Sequence, residues 1–235
     1  MKKSFSTLLV LISLVLGGFA QEKNGIIGIS FGPSIPIGDL SSKDSDNASA
    51  GWANTGGIFD ISFACKLGKG NFGITALLRG QVNPFDAQAY ANELANQLSG
   101  VVWTVDSKAW GLGGLMAGGF GSFPVSKKVN FDARAMIGFL TAVSPEITIT
   151  AIGGGGAAWA RQSSATSTSF AYLIGAGFSL DLGNNLQLLS NLDYLGSKPE
   201  FRDVETISSD GSRLVDTWSQ SMGAINLSVG VGFRF

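Results

Sequence analysis

Histidine is absent from all 235 residues. This removes the usual general base, the commonest metal ligand and any Ser-His-Asp relay. Cysteine occurs once, at Cys65, so no internal disulfide can form and stability must come from backbone pairing and burial. Charged residues are only 14 per cent of the chain, 16 basic against 17 acidic, with no basic cluster. Nucleic acid is therefore not an expected partner. Past the N-terminus no apolar run approaches the ~20 residues of a membrane-spanning helix. Proline occurs six times without forming a linker, so the chain reads as one domain.

The N-terminus has the layout of a secretory signal. Lys2 and Lys3 precede an apolar stretch from Leu8 to Leu16, and Gly18-Phe19-Ala20 supplies small residues before Gln21. The expected division is residues 1–20 as signal and 21–235 as the mature domain. Removing Lys2 and Lys3 leaves 14 basic against 17 acidic residues, a net charge of −3.

What the sequence does have is glycine, at 33 residues, and 45 per cent hydrophobic residues delivered in alternation. The segment 225–235 alternates without a slip between an apolar face (Ile225, Leu227, Val229, Val231, Phe233, Phe235) and a polar or small one (Asn226, Ser228, Gly230, Gly232, Arg234). Strand side chains point to opposite faces with period two, so one face is wholly apolar. Seven further segments read as strands: 25–32, 58–67, 72–79, 108–121, 129–139, 170–182 and 186–194. Trp110, Leu112, Met116 and Phe120 are assigned to the outer face of the 108–121 strand, with Gly111, Gly113, Ala117, Gly119 and Gly121 inside. Short turns at 68–71, 122–128 and 183–185 alternate with long connections at 33–57, 81–107, 141–169 and 195–217.

In strand after strand the charges share one face: Asp60, Lys66, Arg79, Asp132, Arg134, Asp181, Asp193 and Arg234. An apolar exterior with mixed charges inside is the layout of a transmembrane barrel, which pairs every backbone group without a continuous apolar sequence. A soluble sandwich or lipocalin-like barrel would turn the same faces the other way. The expected fold is all-β, an antiparallel up-and-down transmembrane barrel of about eight strands with long extracellular loops and both termini periplasmic. Ile147-Thr148-Ile149-Thr150 and the alanine-rich stretch after it can extend neighbouring strands or form an extracellular hairpin, which leaves ten strands as an alternative.

These segments, the terminal Phe233-Arg234-Phe235 and the stretch Gly32-Pro33-Ser34-Ile35-Pro36-Ile37-Gly38-Asp39 resemble the small outer-membrane β-barrel, or porin-family, domains of Gram-negative bacteria. The resemblance implies an outer-membrane location, contact with outer-membrane lipid, and reading of Phe233 and Phe235 by the outer-membrane assembly machinery. It leaves activity open.

No cofactor or metal site is expected. The eight lumen charges read as a structural ion network, and Cys65, on the outward face, as a buried inert thiol. The glycine clusters 111–114 and 153–156 lack the strand-to-helix setting of a phosphate cradle. Eight strands leave an interior barely wide enough for side chains. In the second long loop, 86–99 has helical spacing, Asp86 as N-cap and Gly100 as stop. Tyr90, Leu94 and Leu98 on that helix are candidates to meet a partner or close the lumen, unless they pack on their own loops. Trp52, Trp103, Trp159 and Trp218 lie in or near loops, making the external face less polar than solvated loops or marking the membrane interface. The function expected is that of a non-enzymatic structural or interaction protein, a subunit of an envelope assembly. The alternatives are a narrow channel for small or apolar solutes and a soluble lipocalin-like binder.

Overall fold

The computed structural model describes residues 25–235; the signal segment and the start at Gln21 lie outside the described residues. Thirteen strands and one α-helix follow one another: β1 (Gly25–Ile37), β2 (Gly56–Lys66), β3 (Phe72–Asn83), α1 (Ala87–Gln97), β4 (Val102–Ser107), β5 (Trp110–Pro124), β6 (Val129–Val143), β7 (Ile147–Gly153), β8 (Gly156–Gln162), β9 (Thr166–Gly183), β10 (Leu186–Ser197), β11 (Glu200–Ser208), β12 (Arg213–Ser219) and β13 (Met222–Arg234).

Eight of them close a barrel in the order β1-β13-β10-β9-β6-β5-β3-β2, every pair antiparallel. These are the eight segments read from alternation; all but β5 are extended toward the loop end, and β5 instead starts two residues later and runs on to Pro124 at the turn end. The turns are tight for local reasons. Asn184 and Asn185, at φ 52° and 66°, give the β9–β10 hairpin a left-handed pair whose twist matches that of the strands. Gly68 at φ 63° serves the β2–β3 turn without steric cost. The first and last strands meet at this same turn end, where Gly25 and Phe235 exchange backbone hydrogen bonds of 2.9 and 3.2 Å.

The remaining strands, β12-β11-β8-β7-β4, form a separate five-stranded sheet. It is built from the connections that alternation left as loops, and with α1 it caps the loop end of the barrel. The segment after Glu146 is the β7–β8 hairpin, turning at Gly153–Gly156, so the barrel keeps eight strands and the extra pair belongs to the cap.

One face assignment is corrected. In β5, Met116 is fully buried and Leu115 is 63 per cent exposed. Trp110, Leu112, Met116 and Phe120 therefore point inward, and Gly111, Gly113, Ala117 and Gly119 outward. No charge labels either face of this strand; its direction is set by pairing, with inward Arg79 opposite Gly114 and inward Leu77 opposite Met116. The glycines that do face inward, Gly114 and Gly118, sit against the next strand: a methyl at 118 would lie 2.0 Å from the Ala135 carbonyl oxygen.

The buried apolar cluster holds Leu77 and Met116 at mid-barrel and Leu112, Met136, Leu140, Leu173 and Leu195 toward the loop end. It continues through Trp110 and Met222 to Phe201 and Val204 of the cap. Barrel and cap thus share one core. Trp110 is its pivot, packed against Phe201 and Trp218 with ring centroids 6.0 and 6.1 Å away. Trp110→Ala is expected to cost about 3–5 kcal/mol, as for other emptied aromatic sites, and Leu115→Ala far less, in urea unfolding of the purified protein in detergent micelles. A larger loss for Leu115→Ala than for Trp110→Ala would mean that β5 is turned the other way.

Candidate functional site

The centre of the lumen is an ion network. Asp60 and Arg79 face each other across the β2–β3 pair, and the carboxylate accepts from Nε at 2.8 Å and Nη2 at 2.6 Å. The same Nη2 reaches Asp193 Oδ2 at 2.9 Å. Asp193 also takes a forked pair of bonds from Arg134, 3.0 Å from Nε and 2.7 Å from Nη2. Planar guanidinium and carboxylate groups match in this way, which makes such bonds the strong ones. Round the barrel β3 and β10 are four strands apart in either direction, so the Arg79–Asp193 pair spans the lumen between opposite walls.

Glycine makes the network possible. Arg134 on β6 and Asp193 on β10 both stand in register with Gly175 on the intervening β9. A methyl at 175 would lie 2.0 Å from Asp193 Oδ1, so any side chain there would displace the carboxylate. Two charges of each sign cancel, and all but Arg134 are almost wholly buried. A polar cluster adjoins them, with Ser34 and Gln81 both donating to Asn83 Oδ1.

The eight predicted lumen charges do point inward, yet they do not form one network. Asp60, Arg79, Asp193 and Arg134 are joined. Asp181 and Arg234 form a separate, partly exposed pair of 2.9 Å near the turn end, where Gln187, its amide turned to present oxygen, accepts from Arg234 Nε at 2.8 Å. Lys66 and Asp132 line a cavity of about 390 Å³ at that end and have no ion pair among the described residues. The serine, asparagine and glutamine members carried no sequence signal beyond lying on the inward face.

Outside, no barrel strand carries a charged residue at an outward position. The nine residues from Ile27 to Ile35, at ~3.4 Å each and tilted by about 40°, rise roughly 23 Å, close to the apolar band of a membrane barrel. Outward aromatic pairs stand at both ends of that band: Phe72–Phe123 and Phe131–Phe178 toward the turns, Phe139–Phe170 and Tyr172–Tyr194 toward the loops. Cys65 has the outward register of Ile74 and is buried. Phe233 points outward, and the Phe235 ring closes over Gly25, where a methyl would come within 2.7 Å of it.

In the cap, α1 forms as its spacing predicts, and Asp86 accepts from the Ala89 amide at 3.0 Å. The predicted partner face is divided. Tyr90 stacks on Trp52 and Phe85 at 4.9 and 5.6 Å, Leu94 is half-buried beside a cavity of about 450 Å³, and Leu98 past the last turn is 54 per cent exposed. The helix therefore packs largely on its own loops and stands beside the barrel mouth. Trp52 and Trp218 line the same cavity, which places them in the cap and not at a membrane interface.

No known family matches this sequence, nor does any curated protein. Among solved structures, the chain is similar to a major outer membrane protein from Thermus thermophilus (10 per cent identity, 90 per cent of this chain and 99 per cent of that one, TM-score 0.48). It is also similar to Neisserial surface protein A (12 per cent, 91 and 98 per cent, 0.44) and to Ail, the attachment invasion locus protein of Yersinia pestis (16 per cent, 90 and 99 per cent, 0.43). At these values the likenesses carry no function across. The barrel stands on its own strand pairing.

Arg79→Leu would leave Asp60 buried without its cation, and is expected to destabilise the barrel by about 3–5 kcal/mol. Adding Asp60→Asn alone should recover part of that loss, since Asp193 keeps its forked pair with Arg134; chemical unfolding of both variants provides the measurement. In the cap, the Lys43 ammonium bonded to Asp86 holds that carboxyl below the usual range. A depressed folded value means this contribution is complete above about pH 4 and lost as pH falls through the folded value. The local signals of α1 should accordingly weaken on acidification in wild type, and much less in Asp86→Asn, which keeps a capping oxygen but no titration.

Proposed function

We propose that this protein is a non-enzymatic outer-membrane β-barrel that acts as a structural and interaction protein, with the loop-side cap as its binding surface. The observation that carries the reading is the Arg79–Asp193 bridge of 2.9 Å between opposite walls of the lumen, above which an apolar layer continues the closure. A transport role would call for a passage; here charges and then leucines and methionines stand across it. A lipocalin-like binder would keep its apolar side chains inside, whereas this barrel also turns a continuous apolar surface outward. Catalysis finds no histidine, and the most buried carboxylates are engaged by arginine.

In this reading the apolar outer band contacts outer-membrane lipid, the termini and short turns face the periplasm, and the cap faces outward. Phe233 and Phe235 present the final strand to the assembly machinery during insertion, and an envelope protein meets the cap.

Reconstituted into planar bilayers, the purified protein is expected to pass no discrete current. Reproducible conductance steps from the wild-type chain would reverse the order of the two leading readings. Leu115→Arg, placing a charge on the outer band, should destabilise the barrel in lipid vesicles by roughly 2–4 kcal/mol if it lies near the midplane. Deleting 86–99 should leave a heat-modifiable barrel while removing any stoichiometric companion extracted with the wild type in mild detergent.

A further inference from the structure

The cap cavity is built like a ligand site, and the reading of the cap as a binding surface does not say for what. Its volume of about 450 Å³ falls in the range of small-molecule pockets, and its position between packed elements makes it largely pre-formed. Trp110 forms the floor, fixed by its indole N–H donating to the Gly51 carbonyl at 2.8 Å. Tyr90 and Glu93 of α1 stand on one side, and Asp216 and Trp218 of β12 on the other. Trp52 completes the aromatic lining while held at φ 52°, a left-handed conformation that bulky residues rarely adopt. Its amide donates to the Ser42 carbonyl at 3.0 Å and its own carbonyl accepts from the Asp86 amide at 2.7 Å, so the surroundings enforce the strain. Strain maintained in this way concentrates at ligand sites.

The charges decide the class of ligand. Glu93 and Asp216 line the cavity, and no lysine or arginine does. Glu93 accepts only the Ser45 hydroxyl at 2.7 Å and Asp216 the Thr217 amide at 2.7 Å; neither has an ion pair among the described residues. Of the other cap carboxylates, Glu146, Glu200, Glu205 and Asp86 are paired with a base while Asp106, Asp203 and Asp210 are not, among the described residues, so what sets Glu93 and Asp216 apart is their place at the cavity. Trp52 and Trp110 are 5 and 2 per cent exposed and serve as wall behind the cavity, so the rings with surface left for a ligand are Tyr90 and Trp218; aromatic faces carry negative potential and attract cations. Two carboxylates without counter-charges act in the same direction and repel anions.

We propose that this cavity binds a small organic cation, an amine or quaternary ammonium, between the aromatic rings and the Glu93 and Asp216 carboxylates. The proposal rests on the reading of the cap as a binding surface and assigns its ligand chemistry.

The test uses the full chain in detergent micelles, titrated with choline and with spermidine and followed by tryptophan fluorescence and calorimetry. Sodium chloride at equal ionic strength and maltose are the controls. Saturable binding of at least one cation is expected, weakened at least tenfold in E93Q/D216N. Tyr90→Leu, which keeps apolar bulk but loses the ring face, should also weaken it. Val215→Ser, on the opposite face of β12, should leave it unchanged. Retention of heat-modifiability and of the far-ultraviolet spectrum shows that each variant is folded; should E93Q/D216N not fold, Tyr90→Leu decides. Absence of saturable binding to both cations, undiminished binding by the folded variants, or equal binding of maltose would overturn the proposal. A cap that ignores these probes on a barrel that passes no current overturns this inference alone. A conducting barrel that still binds them overturns the proposed function instead.

Discussion

The ion bridge across the lumen is the constraint on which the rest of the molecule turns. Arg79 and Asp193 belong to strands on opposite sides of the barrel, and their contact requires a narrow cylinder whose inner wall is bare where they meet. Gly175 supplies the bare wall beside Asp193. Burying four charges carries a desolvation penalty that mutual attraction offsets only with good geometry and further hydrogen bonds. The two forked arginine–carboxylate pairs supply the geometry, while Arg79 Nη1 is buried with no hydrogen-bond partner among the described residues. In return the bridge fixes which strands stand opposite each other, and it leaves no open path along the axis at that level.

Above the bridge the interior changes character. On β5, β6, β9 and β10 the inward positions toward the loop end hold leucine and methionine in place of Asp and Arg, while Ser34, Gln81 and Asn83 keep the β1–β3 wall polar, and the apolar part runs into the aromatic residues of the cap. The cap is consequently not a set of solvated loops. Its five-stranded sheet satisfies backbone groups that would otherwise need water, its side chains share the barrel's core, and Trp110 couples the two through Phe201 and Trp218. Toward the turn end the lumen opens into a cavity lined by Lys66, Asp132 and Arg234. Charged and apolar side chains thus fill the middle of the lumen, a cavity lies toward the turn end and the cap folds over the other.

Much of the barrel could be read from alternation, because a strand between apolar and polar surroundings must segregate its residues by parity. The eight strands, three short turns, the inward charges and the Asp86-capped helix all carried that kind of local signal. β5 did not. Both its faces are uncharged and glycine-rich, so parity alone could not say which looked inward, and the assignment failed there. The cap sheet escaped for a related reason: β4, β7, β8, β11 and β12 are mostly short strands with mixed faces, and their pairing joins segments as distant as Val102 and Ile152 or Gln162 and Thr206.

Taken alone, the sequence determined that the chain would be all-β, with an apolar face and a charged or small-residue face on most barrel strands, because period-two patterning is a property of each strand by itself; which face looks outward is set by closure. Tertiary structure decided which charges meet. Asp60, Arg79, Arg134 and Asp193 form one network, while Lys66 and Asp132 do not join it, since closure around eight strands sets distances that no single strand encodes. It also decided that long connections become a sheet and that Trp52, Tyr90, Trp110 and Trp218 surround one cavity. Those residues come from four separate segments, and only the folded barrel mouth brings them within reach of each other.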